Sequence, residues 1–280
     1  NEPALTAKNV RVESTAVVTA SAINSGNGGT VKIHSTEQTQ IHGVISANGG
    51  AVSGNGGVIE TSSNGTLVVG STAQVNVVAT TGQPGTWKLQ AGQLNVDRNM
   101  ANVISQTLNQ GHVALVSIAQ HLFAGKIHQD TDAVIQKTAG VNNTTLSFAA
   151  DGQIDIQGQI TALLNAPLTV EMVANQIEVQ AAANIAASNV AINATSTLSI
   201  WGNLLGQGSN PFVNVLAGVF NLFGAISANN TNGQGGKVRV NANNINLNAR
   251  SRIEANGQNG GEVMMVARDT IEKAYNLLKE

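Results

Sequence analysis

The sequence predicts an all-β chain, specifically a right-handed parallel β-helix, on three observations. A Gly-marked strand recurs at a set interval, apolar and polar residues alternate inside each copy, and the composition favours small β-formers with Gly and Asn. Recurrence over about 20 to 50 residues marks a solenoid or a propeller. Here Gly29, Gly57 and Gly85 stand 28 residues apart, each opening a strand: Thr30-Val31-Lys32-Ile33-His34, Val58-Ile59-Glu60-Thr61-Ser62 and Thr86-Trp87-Lys88-Leu89-Gln90. Within these the second and fourth positions are mainly apolar, the period-2 pattern of a strand with one buried face. Stacked in register at about 4.8 Å per coil, the copies pair every backbone N–H and C=O with the coils above and below. Val31, Ile59 and Trp87 should then form one internal column, and Lys32, Glu60 and Lys88 an external ladder.

The remaining elements follow in chain order. Ile45-Ser46-Ala47-Asn48-Gly49 is a second short strand ending in a turn, and it returns as Ile226-Ser227-Ala228-Asn229 and Ile253-Glu254-Ala255-Asn256-Gly257. Asn at equivalent turns can form side-chain ladders between coils. Val103 to Gly111 reads as a helical turn closed by Gly111. From about Ala101 to Ala225 the Gly-Gly marker is lost but the alternation persists, as in Gln153-Ile154-Asp155-Ile156-Gln157 and Leu168-Thr169-Val170-Glu171-Met172-Val173. Phe212 to Phe223 is expected to be an oversized loop or an extra strand pair leaving the stack. Gly235-Gly236 and Gly260-Gly261 restore the marker, now 25 residues apart. After Ala267, Ile271, Ala274, Tyr275 and Leu278 fall at helical spacing, which predicts a short amphipathic C-terminal helix laid across the last coil. The expected organisation is a β-helix over 1–267, about eleven coils or roughly 50 Å long, and a capping helix over 268–280.

Composition narrows the function classes. Charged residues are 11% and aromatics 3% of the chain, against 42% hydrophobic residues and 30 Gly. A compact enzyme usually carries about a quarter charged residues. Disorder is disfavoured by the apolar content and by a net charge of only -2. With 14 basic against 16 acidic residues and no basic run, neither nucleic acid nor an anionic membrane is an expected partner. The chain has no Cys, so disulfides and thiolate metal sites are both excluded. Asn1 to Val10 lacks the basic start and apolar segment of a signal peptide, so the chain is expected to be a processed or excised piece. Phe212 to Ile226, the most apolar stretch, is broken by Asn214, Gly218, Asn221 and Gly224 and is shorter than the roughly 20 residues of a membrane helix. It reads as core, with no membrane insertion.

Gly56-Gly57-Val58-Ile59-Glu60-Thr61-Ser62, Gly85-Thr86-Trp87 and the Ile226-Ser227-Ala228-Asn229 and Gly235-Gly236-Lys237-Val238 runs resemble the repeats of filamentous-haemagglutinin-like exoproteins. These are large two-partner secretion substrates of Gram-negative bacteria. Ile104 to Val113 is similar to the segment that follows Gly-Thr-Trp in that family. The resemblance covers about 20–120 and 220–267, and the middle only in style. It implies a secreted or cell-surface adhesive rod, an outer-membrane two-partner transporter engaged through an N-terminal domain missing here, and host-cell or surface glycans or proteins as possible partners. Two departures stand out: Lys88-Leu89-Gln90-Ala91-Gly92 lacks the Asp-Pro pair usual after the Trp, and the one Asn-Pro, Asn210-Pro211, lies far downstream.

Chemistry-bearing residues are sparse. Asp151 with Asp155, or Asp130 with Asp132, could line an outer groove as in β-helical polysaccharide lyases and hydrolases, but Asp151 and Asp155 flank a strand start, which favours turn and solvent positions, with Lys137 the one cation near them in sequence. Asp130-Thr131-Asp132 is too short for a calcium loop. His34, His42, His112, His121 and His128 show no metal spacing and read as surface residues. Sequons fall at Asn64, Asn142, Asn143, Asn193 and Asn229. No residue is therefore assigned a catalytic, cofactor-binding or metal-ligating role, no cofactor is expected, and the chain is expected not to be an enzyme. The leading expectation is an adhesive or spacer rod. The alternatives are the stalk of a contact-dependent toxin protein and a polysaccharide-degrading β-helix enzyme.

Overall fold

A computed structural model describes residues 6–119, 125–230 and 232–273. The chain winds into a parallel β-solenoid of about 10 turns, with three faces joined by turns. The first face stacks Thr30–Ser35, Val58–Ser63, Thr86–Ala91, His112–Ser117 and Thr144–Ala150, then the leading halves of Leu168–Val179, Asn189–Ile200, Phe212–Leu222, Lys237–Leu247 and Glu262–Lys273. The second face stacks Asn9–Val12, Gln38–Ile41 and Thr66–Val69, then Gln93–Val96, Lys126–Gln129, Gln153–Ile156 and the trailing halves of the long strands. The third runs from Val17–Thr19, Val44–Ser46 and Gln74–Asn76 to a second stack that begins at Val134–Lys137 and ends at Arg252–Glu254.

The expected internal column is present. Val31 pairs with Ile59 and Ile59 with Trp87 in register, and Trp87 is fully buried, its indole Nε1 donating to Thr61 Oγ1 at 3.0 Å. Val113, Leu146 and Val170 continue the column. Each such side chain withdrawn from water contributes about 1.5–3 kcal/mol, and stacking repeats that contribution along the rod. Lys32, Glu60 and Lys88 also share register, but among the described residues they form no ion pair. Cross-coil pairing occurs instead between Lys237 and Glu262, 3.5 Å apart. Asn residues do link coils: Asn55 N donates to Asn27 Oδ1, Gln83 N to Asn55 Oδ1, and Asn246 Nδ2 to Asn221 Oδ1.

At the corner between the first and second faces, each coil places a small residue. Ser35, Ser63, Ala91, Ser117 and Ala150 lead to Ala174, Ala194, Ala217 and Ala242, because a bend has no room for a branched side chain inside it. From Leu168 onward the strand runs through this corner unbroken, with a register shift at the bend in most of these pairings. Phe212–Leu222 is one of these continuous strands, paired on both sides with Asn189–Ile200 and Lys237–Leu247. The expected departure from the stack there is corrected: Asn214, Gly218 and Asn221 break a helical pattern but sit comfortably on a strand. Residues one coil apart are 28 positions apart between His34 and Ser62, 20 between Thr169 and Asn189, and 25 between Asn221 and Asn246.

One coil replaces its third strand with a helix, Arg98–Leu108, between Gln74–Asn76 and Val134–Lys137. Asp97 caps it, accepting from Met100 N at 2.8 Å, and Met100, Ala101, Val103, Ile104, Thr107 and Leu108 bury one stripe. The helix starts before the turn the sequence indicated, because Asp97 supplies an N-cap. Two coil steps leave about 10 Å, which matches a helix diameter. In the same region Thr66–Val69 and Gln93–Val96 are not paired, and a shallow groove containing Met100 separates them.

The predicted C-terminal helix is also corrected over residues 268–273. Residues 268–273 belong to the strand Glu262–Lys273, whose register with Lys237–Leu247 includes Asn244↔Thr270, Ile245↔Ile271 and Leu247↔Lys273. A short helix is marginal by itself, whereas the open edge of Lys237–Leu247 offers partners to the backbone groups that face it. Residues 274–280 lie outside the described residues. Among the described residues, no helix is long and apolar enough to cross a membrane.

Candidate functional site

On the second face, outward side chains from alternate strand positions stack into polar columns. One column is Asn95, His128, Asp155, Glu178, Ser199, Asn221 and Asn246. Each strand then enters a turn, and the first turn residue in successive coils is Asp130, Gln157, Gln180, Trp201, Phe223 and Asn248. Each of these donates its backbone N–H to the strand-terminal carbonyl of the preceding coil. The two columns lie side by side, so polar groups far apart in sequence meet.

His128 bridges two carboxylates, one in its own coil and one in the next. Its Nδ1 lies 2.9 Å from Asp155 Oδ2 and its Nε2 3.3 Å from Asp130 Oδ1. Asp155 is almost fully buried, at 6% exposure, and accepts further bonds from Gln157 Nε2 at 3.1 Å and Gln180 Nε2 at 3.0 Å. Burial alone pushes the Asp155 carboxyl up. The hydrogen bonds from Gln180, Gln157 and His128, with the His128 charge, outweigh that and hold it below the usual carboxylate range. Gln180 Nε2 also reaches Glu178 Oε2 at 3.0 Å. Lys126, in register with Gln153, stands two residues before His128 on the same face.

Further along the turn column, Trp201 and Phe223 stack with ring centroids 3.6 Å apart and planes 5° from parallel. Gly202 and Gly224 follow them, and the close approach of these turns requires glycine: a Cβ on Gly224 would run into the Gly202 carbonyl oxygen. Trp201 nonetheless remains 45% exposed.

The residues singled out in the sequence are distributed differently from the expected pairs. Asp155 meets Asp130 through His128, while Asp151 caps a turn by accepting from Ala119 N at 2.9 Å and Asp132 pairs with Arg98 at 2.9 Å. A solvent position for Asp155 is therefore corrected, and so is a purely superficial role for His128. Lys137 is fully buried inside the coil, its ammonium donating to Asn142 O at 2.7 Å and Thr144 Oγ1 at 2.8 Å. His34 Nδ1 lies 2.9 Å from Ser62 Oγ. His112 Nδ1 accepts from Thr145 N, and burial followed by the Lys137 charge lowers its pKa. His121 lies outside the described residues. Of the sequon residues, Asn142 and Asn143 are exposed and the others half-buried. Glu178, Gln180 and the aromatic pair were missed because their meeting depends on coil length. Among the described residues no three His, Asp or Glu side chains are grouped to hold a metal ion. Compared with known proteins, the chain matches no family model, no curated protein and no solved structure.

Proposed function

We propose that this chain is a structural and adhesive rod, a β-helical segment of a secreted or cell-surface exoprotein of the filamentous-haemagglutinin-like kind. The observation that carries the reading is the unbroken stacking of the first face through about 10 turns, which turns sequence repeats into a stiff shaft. A solenoid holds its outward columns at a constant spacing, so the same object sets a distance and presents a long binding surface. Surface glycans or proteins are the partners this reading takes, and a two-partner outer-membrane transporter is the secretion route that fits the repeat resemblance. The Asp155 carboxylate, occupied by His128, Gln157 and Gln180, acts here as a clamp ordering the face. Beads coated with the folded chain should attach to host cells or to surface polysaccharide more than beads coated with the unfolded chain. Equal attachment would remove the adhesive role and leave a spacer.

A second reading has one specific observation in its favour. Asp130, His128, Asp155 and Glu178 gather acid–base groups on one outer face, the arrangement a glycan-cleaving enzyme would need. Release of new reducing ends from a polysaccharide, lost in Glu178→Gln, would establish it over the adhesive rod.

A further inference from the structure

The polar columns of the second face and the stacked rings at one end of the turn column meet at Trp201. Phe223 stacks on one face of the indole at 3.6 Å, and Trp201 is nevertheless 45% exposed. In the preceding coil Gln180 occupies the same turn position, and Glu178 stands two residues before it. Gln180 is held rigidly: its Nε2 is committed to Asp155 Oδ1 and Glu178 Oε2, both at 3.0 Å. That commitment fixes the amide and leaves its Oε1 to accept. Next to Gln180 the turn is Ala181 and Ala182, both exposed and small.

A large aromatic plane beside oriented carboxylate and carboxamide acceptors suits a ring that has an apolar C–H face and a rim of hydroxyl donors. We propose that the exposed indole of Trp201, with Gln180 and Glu178 of the preceding coil, is a binding subsite for one pyranose ring of a neutral glycan. The Glu178 carboxylate beside Gln180, with Asp155 one coil behind it, disfavours a uronic acid or sulfated unit. Preorganisation by Asp155 lowers the ordering cost of binding. The subsite rests on the adhesive reading above and gives it a ligand class.

The chain has 2 Trp, and Trp87 is fully buried, so a change in Trp emission on binding reports Trp201. The folded chain is titrated with cellohexaose, maltohexaose and xylohexaose, with a galacturonate hexamer as the charged comparison. At least one neutral hexamer should shift the emission saturably, the galacturonate hexamer at least 10-fold more weakly. Affinity measured by calorimetry should fall at least 10-fold in Trp201→Ala and severalfold in Gln180→Ala, and Trp201→Phe should restore part of it. Circular dichroism and Trp87 emission of Trp201→Ala verify the fold. Absence of any saturable response to the neutral hexamers overturns the subsite, as does equal affinity for wild type and Trp201→Ala. Concentration-dependent self-association that Trp201→Ala abolishes, without an oligosaccharide effect, overturns it in favour of a second copy as the occupant. Bead attachment to cells is scored separately: attachment absent in wild type removes the adhesive role, while the hexamer titration alone decides the subsite.

Discussion

Ser105 Oγ on the helix accepts a hydrogen bond at 2.9 Å from the backbone N–H of Gln136, a residue of the third-face strand in the following coil. The helix thus substitutes for a missing strand through side chains. Asn109 Oδ1 accepts from Thr138 N and Ala139 N, both at 3.0 Å, and on the opposite side Gln110 Nε2 donates to Val75 O at 3.4 Å. Backbone groups of two broken sheet edges are satisfied from the helix surface, which is the accounting that buried sheets demand.

Asn109→Ala should therefore destabilise the rod more than its half-buried position suggests. Two N–H groups lose their acceptor together, at a cost of about 1–3 kcal/mol. Ser105→Ala should cost about 1 kcal/mol by the same reasoning. Urea unfolding followed by circular dichroism measures both, and an Asn109→Ala midpoint equal to wild type would show that water replaces the side chain.

Trp87→Ala should cost about 3–5 kcal/mol, the usual range for emptying a large aromatic site in a packed core. Thr61→Val keeps the shape but strands the indole N–H that Thr61 Oγ1 accepts, costing about 1–3 kcal/mol. If Thr61→Val instead matches wild type in thermal unfolding, the bond contributes nothing net.

Lys137 makes stability rise with pH in the alkaline range. Burial lowers its pKa from 10.5 to about 8, so between these values the unfolded chain holds a proton that the folded chain has released. Stability should climb there by at most about 1.4 kcal/mol per pH unit. In Lys137→Met the climb should vanish, and a slope that persists in the variant would assign it to another group.

Asp155 acts at the acid end with the opposite arrangement. Its folded-state pKa is depressed, so its contribution is complete above the ordinary carboxylate value of about 4 and is lost as pH falls through the folded value. Asp155→Asn should lower stability at pH 7 by about 1–3 kcal/mol and flatten the acid loss. Equal acid slopes in the two proteins would place the loss elsewhere.

Much of the architecture was legible because it is local. Gly29, Gly57 and Gly85 gave the coil length directly, and alternation in Thr86-Trp87-Lys88-Leu89 gave the inward positions. The candidate site was less legible. Asp155 and Asp130 stood out as acids, but nothing in Gln153 to Gln157 indicates that His128 lies opposite Asp155, since that coil carries no Gly-Gly marker to set the register. The ring pair was hidden for the same reason, Trp201 and Phe223 being ordinary turn residues until their coils are superposed.

The sequence by itself determined a solenoid and the side of each strand that faces the core, because strand periodicity and turn chemistry are properties of a few neighbouring residues. Tertiary structure decided which outward residues meet, since the spacing between stacked positions varies from coil to coil, 28, 20 and 25 residues in three of them, and no fixed offset in the sequence identifies the partner. It also decided the fate of 268–273. Their helical spacing is a real local preference, but the unpaired edge of Lys237–Leu247 supplies hydrogen-bond partners along the strand, and a ladder closed on an existing sheet outweighs a helix that must nucleate alone.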